Sequence, residues 1–223
     1  MKRLLALAVF TTLLALAGAN LAQDKKKGDP AFDPIKDDPA LPRVLLIGDS
    51  ISIGYTPATR KLLAGKANVH RIPENGGPTD NGTKKTKKWL GEGKWDVIHF
   101  NWGLHDIKLG SGKHQVPIED YEKNLRELVK AMKGTGAKLI WATTTPVPEG
   151  KTSPPRKNAD VIEYNKSAKK IMEENGVAIN DLYVFALPQL DKLQLKVNVH
   201  FTEKGSEALA VRVAATIEAA LKK

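Results

Sequence analysis

The sequence predicts an α/β fold in which helices cover both faces of a parallel sheet. Two observations support this prediction: short apolar runs typical of buried strands recur along the chain, and segments with helical spacing of apolar residues separate them. No repeat or second shift in composition interrupts the pattern after residue 42, so residues 43–223 are expected to form one domain. The strand-like runs are Val44–Ile47, Asn68–Ile72, Val97–Phe100, Lys138–Thr143 and Val177–Asn180.

The first residues, 1–22, are predicted to be a signal peptide. A basic start precedes an apolar core from Leu4 to Ala17, and Ala17-Gly18-Ala19 is a small-residue cleavage pattern. A membrane anchor is the less favoured interpretation because the apolar core is short for a span. We therefore expect a secreted or periplasmic protein with no stable membrane insertion after signal cleavage. The chain has no cysteine, so its stability must come from its core without disulfides.

Residues 23–42 are charged and rich in proline, and they are predicted to form a linker or a loosely held arm. The chain carries a formal net charge of +10, and part of it lies in a lysine run near the predicted site. That run could attract an anionic polymer, but a solvated helix face is the favoured interpretation. No motif supports nucleic-acid binding. The lysines of the run are Lys84, Lys85, Lys87 and Lys88.

The pentapeptide Gly48-Asp49-Ser50-Ile51-Ser52 directly follows the first strand-like run. It places the hydroxyl of Ser50 at the carboxyl end of a strand, where open α/β sheets bind ligands. The chain then continues as a helix, so the backbone N–H groups of the turn can stabilise negative charge. A hydroxyl and an anion stabiliser in one turn favour acyl transfer through a serine nucleophile, although such a tripeptide is also common as a polar turn.

Two later segments have clear helical periodicity. The first ends at Gly134, and the second, at the carboxyl terminus, follows Thr202, whose hydroxyl can cap it. The apolar positions of the first helix are Ile118, Tyr121, Leu125, Leu128 and Met132, and those of the second are Leu209, Val213, Ile217 and Leu221.

A serine nucleophile needs a base, and two of the five histidines are well placed to provide one. His200 comes immediately before the carboxyl-terminal helix, and His105 follows the third strand-like run. Other catalytic motifs fail on spacing: the fifth position of a G-x-S-x-G elbow is Ser52 here, and no phosphate-binding loop is present. The histidines lack metal-ligand spacing, so neither a metal nor another cofactor is expected.

The motifs together resemble the SGNH (GDSL-type) hydrolase family. Gly48-Asp49-Ser50-Ile51-Ser52 resembles the first block of that family, and Asn75-Gly76-Gly77-Pro78-Thr79 resembles the second. Gly103-Leu104-His105-Asp106 is similar to the third block, usually Gly-X-Asn-Asp. Val197-Asn198-Val199-His200-Phe201-Thr202 is similar to the fifth, usually Asp-X-X-His. The blocks occur in the family's order between residues 43 and 205.

The resemblance implies a fold and a set of roles. The fold is a flavodoxin-like, three-layer αβα sandwich with a five-stranded parallel sheet. Ser50 would be the nucleophile and His200 the base. The oxyanion hole would use the backbone N–H groups of Ser50 and Gly77, with Gly76 as the fallback.

Two departures from the family pattern affect the predicted site. His105 replaces the asparagine that completes the oxyanion hole; an imidazole N–H can donate there, and Asn101 is the fallback donor. Val197 replaces the aspartate that orients the base. Three other groups could orient the base: Asn198, a carboxylate from Asp191, or a backbone carbonyl. We expect a Ser–His dyad with a neutral third partner, Asn198.

The sequence therefore predicts an exported serine esterase. The resemblance favours O-acetyl or other short acyl esters, carbohydrate-linked before lipid or thioester substrates. The alternatives are a lipase- or thioesterase-type acyl hydrolase and an SGNH-fold carbohydrate-binding protein with weak or no turnover. The four tryptophans are mainly core candidates, and Trp102, beside the third block, is also a candidate wall for a sugar ring.

Overall fold

The computed structural model describes residues 28–222. The predicted signal peptide and the start of the predicted linker, residues 1–27, lie outside the described residues. Among the described residues, no helix is both long and apolar enough to cross a membrane.

The five predicted strands form one parallel sheet, which confirms the predicted fold class. The strands are β1 (Arg43–Ile47), β2 (Asn68–Arg71), β3 (Val97–Phe100), β6 (Lys138–Ala142) and β7 (Ala178–Asn180), in the order β2-β1-β3-β6-β7. A short antiparallel pair, β4 (Leu109–Gly110) and β5 (Lys113–His114), lies between β3 and the next helix. Each predicted strand end lies within one residue of the observed end.

Helices cover the sheet in two groups. α1 packs against α7, whereas α2 packs against α3 and α3 against α4. Right-handed crossovers place these groups on opposite faces, which gives the three-layer sandwich. The helices are α1 (Ser50–Leu62), α2 (Thr79–Leu90), α3 (Ile118–Lys133), α4 (Asn158–Glu174), α5 (Leu182–Ala186), α6 (Leu190–Leu193) and α7 (Glu203–Lys222). Thr202 caps α7 as predicted, since its hydroxyl accepts from Gly205 N at 3.0 Å.

The core lies between these layers and explains the strand sequences. The apolar residues of β1 are at most 2% exposed, because a central parallel strand is covered on both faces. All four tryptophans are buried, which confirms their assignment to the core. Trp102 is 1% exposed, and its indole packs on Gly82, so its prediction as a wall for a sugar ring is wrong.

Residues 28–42 are held on the domain, which corrects the expectation of a loosely held arm for this part. Ala31 is fully buried in a short 3₁₀ helix, Pro30–Phe32. The Asn68 side chain at the start of β2 exchanges hydrogen bonds with the backbone of Asp38, at 2.8 and 2.9 Å. The Asp37 carboxylate contacts His70 Nε2 at 2.6 Å. The segment buries little apolar surface, but polar side chains of β2 provide hydrogen-bond partners for its polar groups.

The lysine run lies on α2. Lys84, Lys87 and Lys88 are exposed, and Lys85 pairs with the Glu74 carboxylate. This arrangement agrees with the favoured interpretation of a solvated helix face.

Candidate active site

The sheet order creates a crevice at the carboxyl ends of β1 and β3. The chain leaves β1 toward β2 on one side, and β3 continues toward β6 on the other, so the connections diverge between these two strands. Ligand sites in open α/β sheets lie at such switch points. The turn after β1 and the loop after β3, which carry the first and third motif blocks, therefore meet there.

Ser50 is the first residue of α1. Asp49 is the N-cap, and its Oδ1 accepts from Ile51 N at 2.9 Å. A carboxylate cap satisfies one free N–H group at the start of the helix, and the N–H of Ser50 stays without an intrahelical partner. The turn therefore presents both the hydroxyl and a backbone donor of Ser50 at the crevice.

Arg71, at the end of β2, holds this turn from below. Its Nη2 donates to Ser52 Oγ at 2.7 Å and to the Gly48 carbonyl at 3.1 Å, while Nη1 donates to the Glu74 carbonyl at 2.9 Å. Burial lowers the pKa of Arg71 to about 10, so the guanidinium is still charged at neutral pH. Because one rigid cation binds both segments, the Ser50 turn is fixed relative to the second motif block.

Ser50, His200 and Asn198 form a hydrogen-bonded line. His200 Nε2 lies 2.9 Å from Ser50 Oγ, and His200 Nδ1 lies 2.7 Å from Asn198 Oδ1. The same Oδ1 accepts from the backbone N–H of His200 at 3.0 Å, which fixes the orientation of the amide. Nδ1 must then carry the proton, and Nε2 offers its lone pair to the serine hydroxyl. This is the tautomer that a general base requires.

The other predicted orienting groups do not contact His200. Asp191 lies in α6, and no hydrogen bond joins it to His200 in the described structure. Val197 occupies the family's aspartate position with a φ of 51° and packs against Gly150. Val197 is half exposed, and an aliphatic side chain cannot accept a hydrogen bond from the imidazole. Of the alternatives from the sequence, Asn198 is the one in contact with the ring.

His105 is held in one tautomer by Lys108. The ammonium Nζ lies 2.9 Å from His105 Nδ1, and an ammonium can only donate. The Nδ1 atom must therefore accept, which leaves the ring proton on Nε2. Burial lowers the pKa of His105 against the opposing effect of the Asp49 carboxylate, with the positive charge of Lys108 acting in the same direction as burial, so the ring is neutral at neutral pH.

The two predicted glycine donors are both engaged. Gly76 N donates to the Gly48 carbonyl, and Gly77 N donates to Asn75 Oδ1, each at 2.9 Å. A Cβ at Gly76 would lie 2.9 Å from the Gly48 carbonyl oxygen, so the two turns pack backbone to backbone. The prediction that either glycine offers a free N–H is wrong for this structure. Asn75 lines the cleft, and its Nδ2 group has no acceptor among the described residues.

Asn101, the fallback donor, is also occupied. Its Nδ2 donates to the Ala142 carbonyl at 2.8 Å and to Thr144 Oγ1 at 3.2 Å. These bonds join the ends of β3 and β6, so the fallback prediction for Asn101 is wrong.

The next glycine, Gly103, has a φ of 154°, and a Cβ there would lie 2.1 Å from Thr144 Oγ1. The third block therefore needs a glycine at this close approach.

Asp106 joins the second and third motif blocks. Its Oδ1 accepts from Thr79 N at 2.8 Å and from Thr79 Oγ1 at 2.6 Å, which caps α2 from outside the helix. The carboxyl is fully buried, and Oδ2 has no partner among the described residues. Burial raises its pKa to about 7 in spite of the two hydrogen bonds. The sequence analysis missed this clamp, since contact between residues far apart in the chain leaves no local pattern.

The cleft over Ser50 has a volume of about 260 Å³. It opens between the loop that carries His105 and the loop between β6 and α4, and most of its lining residues have polar or charged side chains. Lys108 and Arg156 also line it, and the sequence analysis missed both. The spacing of Lys108, three residues after His105, is the one local signal that points to either. The lining consists of Asp49, Ser50, Asn75, Leu104, His105, Lys108, Ser153, Pro154, Arg156, Val199 and His200.

The remaining histidines lie outside the cleft. His70 contacts Asp37, and His114 Nε2 lies 3.1 Å from Asp160 Oδ2. His99 is fully buried in β3, where burial lowers its pKa to about 3. We therefore assign these three histidines to the structure of the domain and not to the cleft.

A serine and an imidazole side by side at the edge of a five-stranded parallel sheet define a class of hydrolases that act on ester bonds. Residues 46–208 match the profile of the GDSL-like Lipase/Acylhydrolase family, which is more than half of the chain. The protein therefore belongs to this family, the SGNH hydrolases, as the motif blocks indicate. No curated protein matches the sequence closely enough to count as a relative.

Solved structures share the fold at low sequence identity. A lipase/acylhydrolase from Enterococcus faecalis is 21% identical, with a TM-score of 0.71 over 80% of this chain and 96% of that chain. The acetyl xylan esterase AlAXEase is 17% identical, with a TM-score of 0.69 over 78% and 99%. An acetylxylan esterase from Geobacillus stearothermophilus is 20% identical, with a TM-score of 0.65 over 79% and 94%.

The buried carboxyl of Asp106 predicts a pH-dependent stability. Its pKa is about 7 in the folded state, against an ordinary 3.8, so the folded state binds the extra proton between these values. The stabilisation is fully present below about pH 4 and is lost as the pH rises through about 7. Asp106→Asn keeps an oxygen for Thr79 but removes the titration. From about pH 4 to about pH 8, the wild type should lose on the order of 4 kcal/mol of unfolding free energy relative to this variant.

Urea unfolding of both proteins across this pH range measures the effect. A difference in unfolding free energy that stays constant with pH would contradict the assignment of a buried, raised pKa to Asp106.

Proposed function

We propose that the protein is an exported serine esterase that removes short acyl groups, foremost O-acetyl groups on carbohydrate. The observation that carries the proposal is the distance of 2.9 Å between Ser50 Oγ and His200 Nε2, with Nδ1 held by the uncharged Asn198 amide. A hydroxyl next to an imidazole of the right tautomer is the arrangement that activates serine for attack on an ester.

The reaction follows from this geometry in two halves. Ser50 Oγ attacks the ester carbonyl while His200 Nε2 takes its proton, and the imidazolium then gives that proton to the leaving alcohol. The acyl group is left on Ser50 as an ester. A water molecule, deprotonated by His200, attacks this acyl-enzyme, and the proton returns to Ser50 as the carboxylic acid leaves.

The negative oxygen of each tetrahedral intermediate needs donors on one side of Ser50. The backbone N–H of Ser50 and the Nε2–H of His105 have no acceptor among residues 28–222, and Asn75 Nδ2, in the lining of the same cleft, is the third donor in place of Gly77. The Lys108 ammonium polarises the His105 ring through Nδ1, which makes Nε2–H a better donor. The histidine that replaces the usual asparagine is therefore compatible with an oxyanion hole.

The size and polarity of the cleft support a small acyl group on a polar substrate. A volume of about 260 Å³ accommodates an acetyl ester and part of a sugar ring. The apolar lining residues are Leu104, Pro154 and Val199, a small set for a long acyl chain. Two of the similar structures are acetylxylan esterases and one is a lipase/acylhydrolase. A lipase- or thioesterase-type activity on longer chains is the second candidate.

Export rests on the sequence of residues 1–22, which has the features of a cleavable signal peptide. A protein of this location meets polymeric carbohydrate rather than intracellular thioesters, which also favours the first candidate. The alternative of a carbohydrate-binding protein without turnover was motivated by Val197. That motive weakens because Asn198 already supplies the contact that orients His200.

Ser50→Ala tests the proposed activity. We expect a fluorophosphonate probe to label the wild type and the protein to hydrolyse p-nitrophenyl acetate, and we expect both signals to vanish in S50A. The same substitution at Ser153, an exposed serine that also lines the cleft, is the control and should keep the label. Most of the hydrolysis surviving in folded S50A would refute the nucleophile.

His105 should act as an oxyanion donor. His105→Ala removes the Nε2–H donor and should reduce kcat about 10²-fold, whereas His105→Asn restores the family's usual amide donor and should stay within about tenfold of the wild type. Steady-state kinetics on a p-nitrophenyl ester separate kcat from KM. A nearly normal alanine variant beside an inactive asparagine variant would assign His105 a different role.

Asn198 should orient His200 without an ionic contribution. Asn198→Ala removes the Nδ1 acceptor, so ring orientation and tautomer are lost, and kcat should fall about 10- to 100-fold without disappearing. Asp191→Asn is the matched control and should be nearly silent, because no hydrogen bond joins Asp191 to His200 among the described residues. A large kcat loss in the Asp191 variant with a normal Asn198 variant would show that a carboxylate completes the triad.

A further inference from the structure

The active-site cleft contains two cations, and a single acidic side chain, Asp49, lines it beside them. Lys108 and Arg156 both line it, and neither forms an ion pair with a carboxylate among residues 28–222. Lys108 is partly buried, and Arg156 is 8% exposed. Hydrolysis of a neutral ester uses Lys108 only through its contact with His105 and does not by itself require Arg156.

Arg156 is the more deeply placed of the two. It is 8% exposed, and its Nε donates to the Leu104 carbonyl at 2.6 Å. Its Nη1 makes only a long contact, 3.3 Å, with the Pro154 carbonyl. Nη2 has no acceptor among the described residues. Burial lowers the pKa of Arg156, but an arginine side chain stays protonated in proteins. None of its donors is both buried and unpaired, and the side chain lines the cleft, so the free donors are available to a group that binds there.

Lys108 adds a second charge on the same side of the cleft. One of its three N–H donors is used by His105 Nδ1, and the other two have no acceptor among the described residues. The acidic side chain that lines the cleft is Asp49, and its Oδ1 is used by the N-terminus of α1. The site therefore has an excess of positive charge next to Ser50.

We infer that the substrate carries a negatively charged oxygen group, a carboxylate or a sulfate, beside the ester that is cleaved, and that Arg156 and Lys108 bind it. This inference rests on the proposed function and narrows its substrate class from carbohydrate esters to esters of acidic sugars. A guanidinium presents parallel N–H groups that match two oxygens of such an anion. In a cleft of this size, the anion lies on the acylated sugar or on its direct neighbour.

Charge-matched substrates test the inference directly. The substrates are an O-acetylated oligogalacturonide, the same oligomer with methyl-esterified carboxylates, and an O-acetylated oligomer of galactose 6-sulfate, with acetate release as the readout. We expect kcat/KM to be at least about tenfold higher for a charged oligomer than for the methyl-esterified one. The better of the two charged oligomers identifies carboxylate or sulfate. Equal kcat/KM for charged and neutral oligomers would overturn the inference.

Variants assign the preference to the two cations. Arg156→Gln and Lys108→Gln should each reduce the ratio of kcat/KM between charged and neutral oligomers several-fold, and Arg156→Lys should retain part of it. Lys151→Gln, an exposed lysine of the same loop that does not line the cleft, removes the same charge and should leave the ratio unchanged. A ratio that is insensitive to both cleft variants would refute their role.

Failure of this inference and failure of the proposed esterase are separable. If S50A-sensitive hydrolysis of p-nitrophenyl acetate is present without a preference for charge, the inference fails and the esterase stands. If hydrolysis is absent, calorimetric binding of the acetylated oligogalacturonide and of the sulfated oligomer to S50A, with and without Arg156→Gln, tests the anion site alone. Binding of a charged oligomer that Arg156→Gln weakens about tenfold supports the inference, and absence of binding by both overturns it.

Discussion

The divergence of chain connections between β1 and β3 is the constraint on which the rest of the molecule depends. Because β1 is central and the chain leaves it in the opposite direction from β3, the two strand ends open onto one crevice rather than being covered by a crossover. That opening receives Ser50 directly from β1 and His105 from the loop after β3. Only the base, His200, comes from a distant segment, between α6 and α7.

Two buried ionisable side chains convert this crevice into a rigid site. Arg71 ties the nucleophile turn to the loop after β2, and Asp106 ties the start of α2 to the loop after β3. Each uses a side chain to satisfy backbone groups that no strand or helix pairs. The loops of the site are therefore fixed by polar contacts in addition to the apolar packing of residues such as Leu104 and Val199.

Periodicity and motif order were sufficient for much of the site. The strands and the contact of Asn198 with His200 follow from residue type and local spacing, because each depends on neighbours along the chain. The Ser50–His200 pair joins residues 150 positions apart and follows instead from the order of the motif blocks. The glycine donors and Asn101 were predicted wrongly, since a backbone N–H or an amide is free only if no nearby oxygen takes it. Whether a nearby oxygen accepts from such a donor depends on how the side chains of different loops are oriented. The packing of residues 28–42 was missed for the same reason, as Asn68 lies in another element.

Because the partner of His200 is uncharged, the electrostatic stabilisation of the transition state must come mainly from another part of the site. An amide oxygen orients the imidazole but brings no full negative charge to the imidazolium that forms when Ser50 attacks. The opposite side of the cleft has the complementary character, with Lys108 behind His105 and a buried guanidinium nearby. Charge separation in the transition state is thus stabilised mainly at its negative end. An enzyme built this way depends more on the field around its oxyanion than on an ion pair at its base.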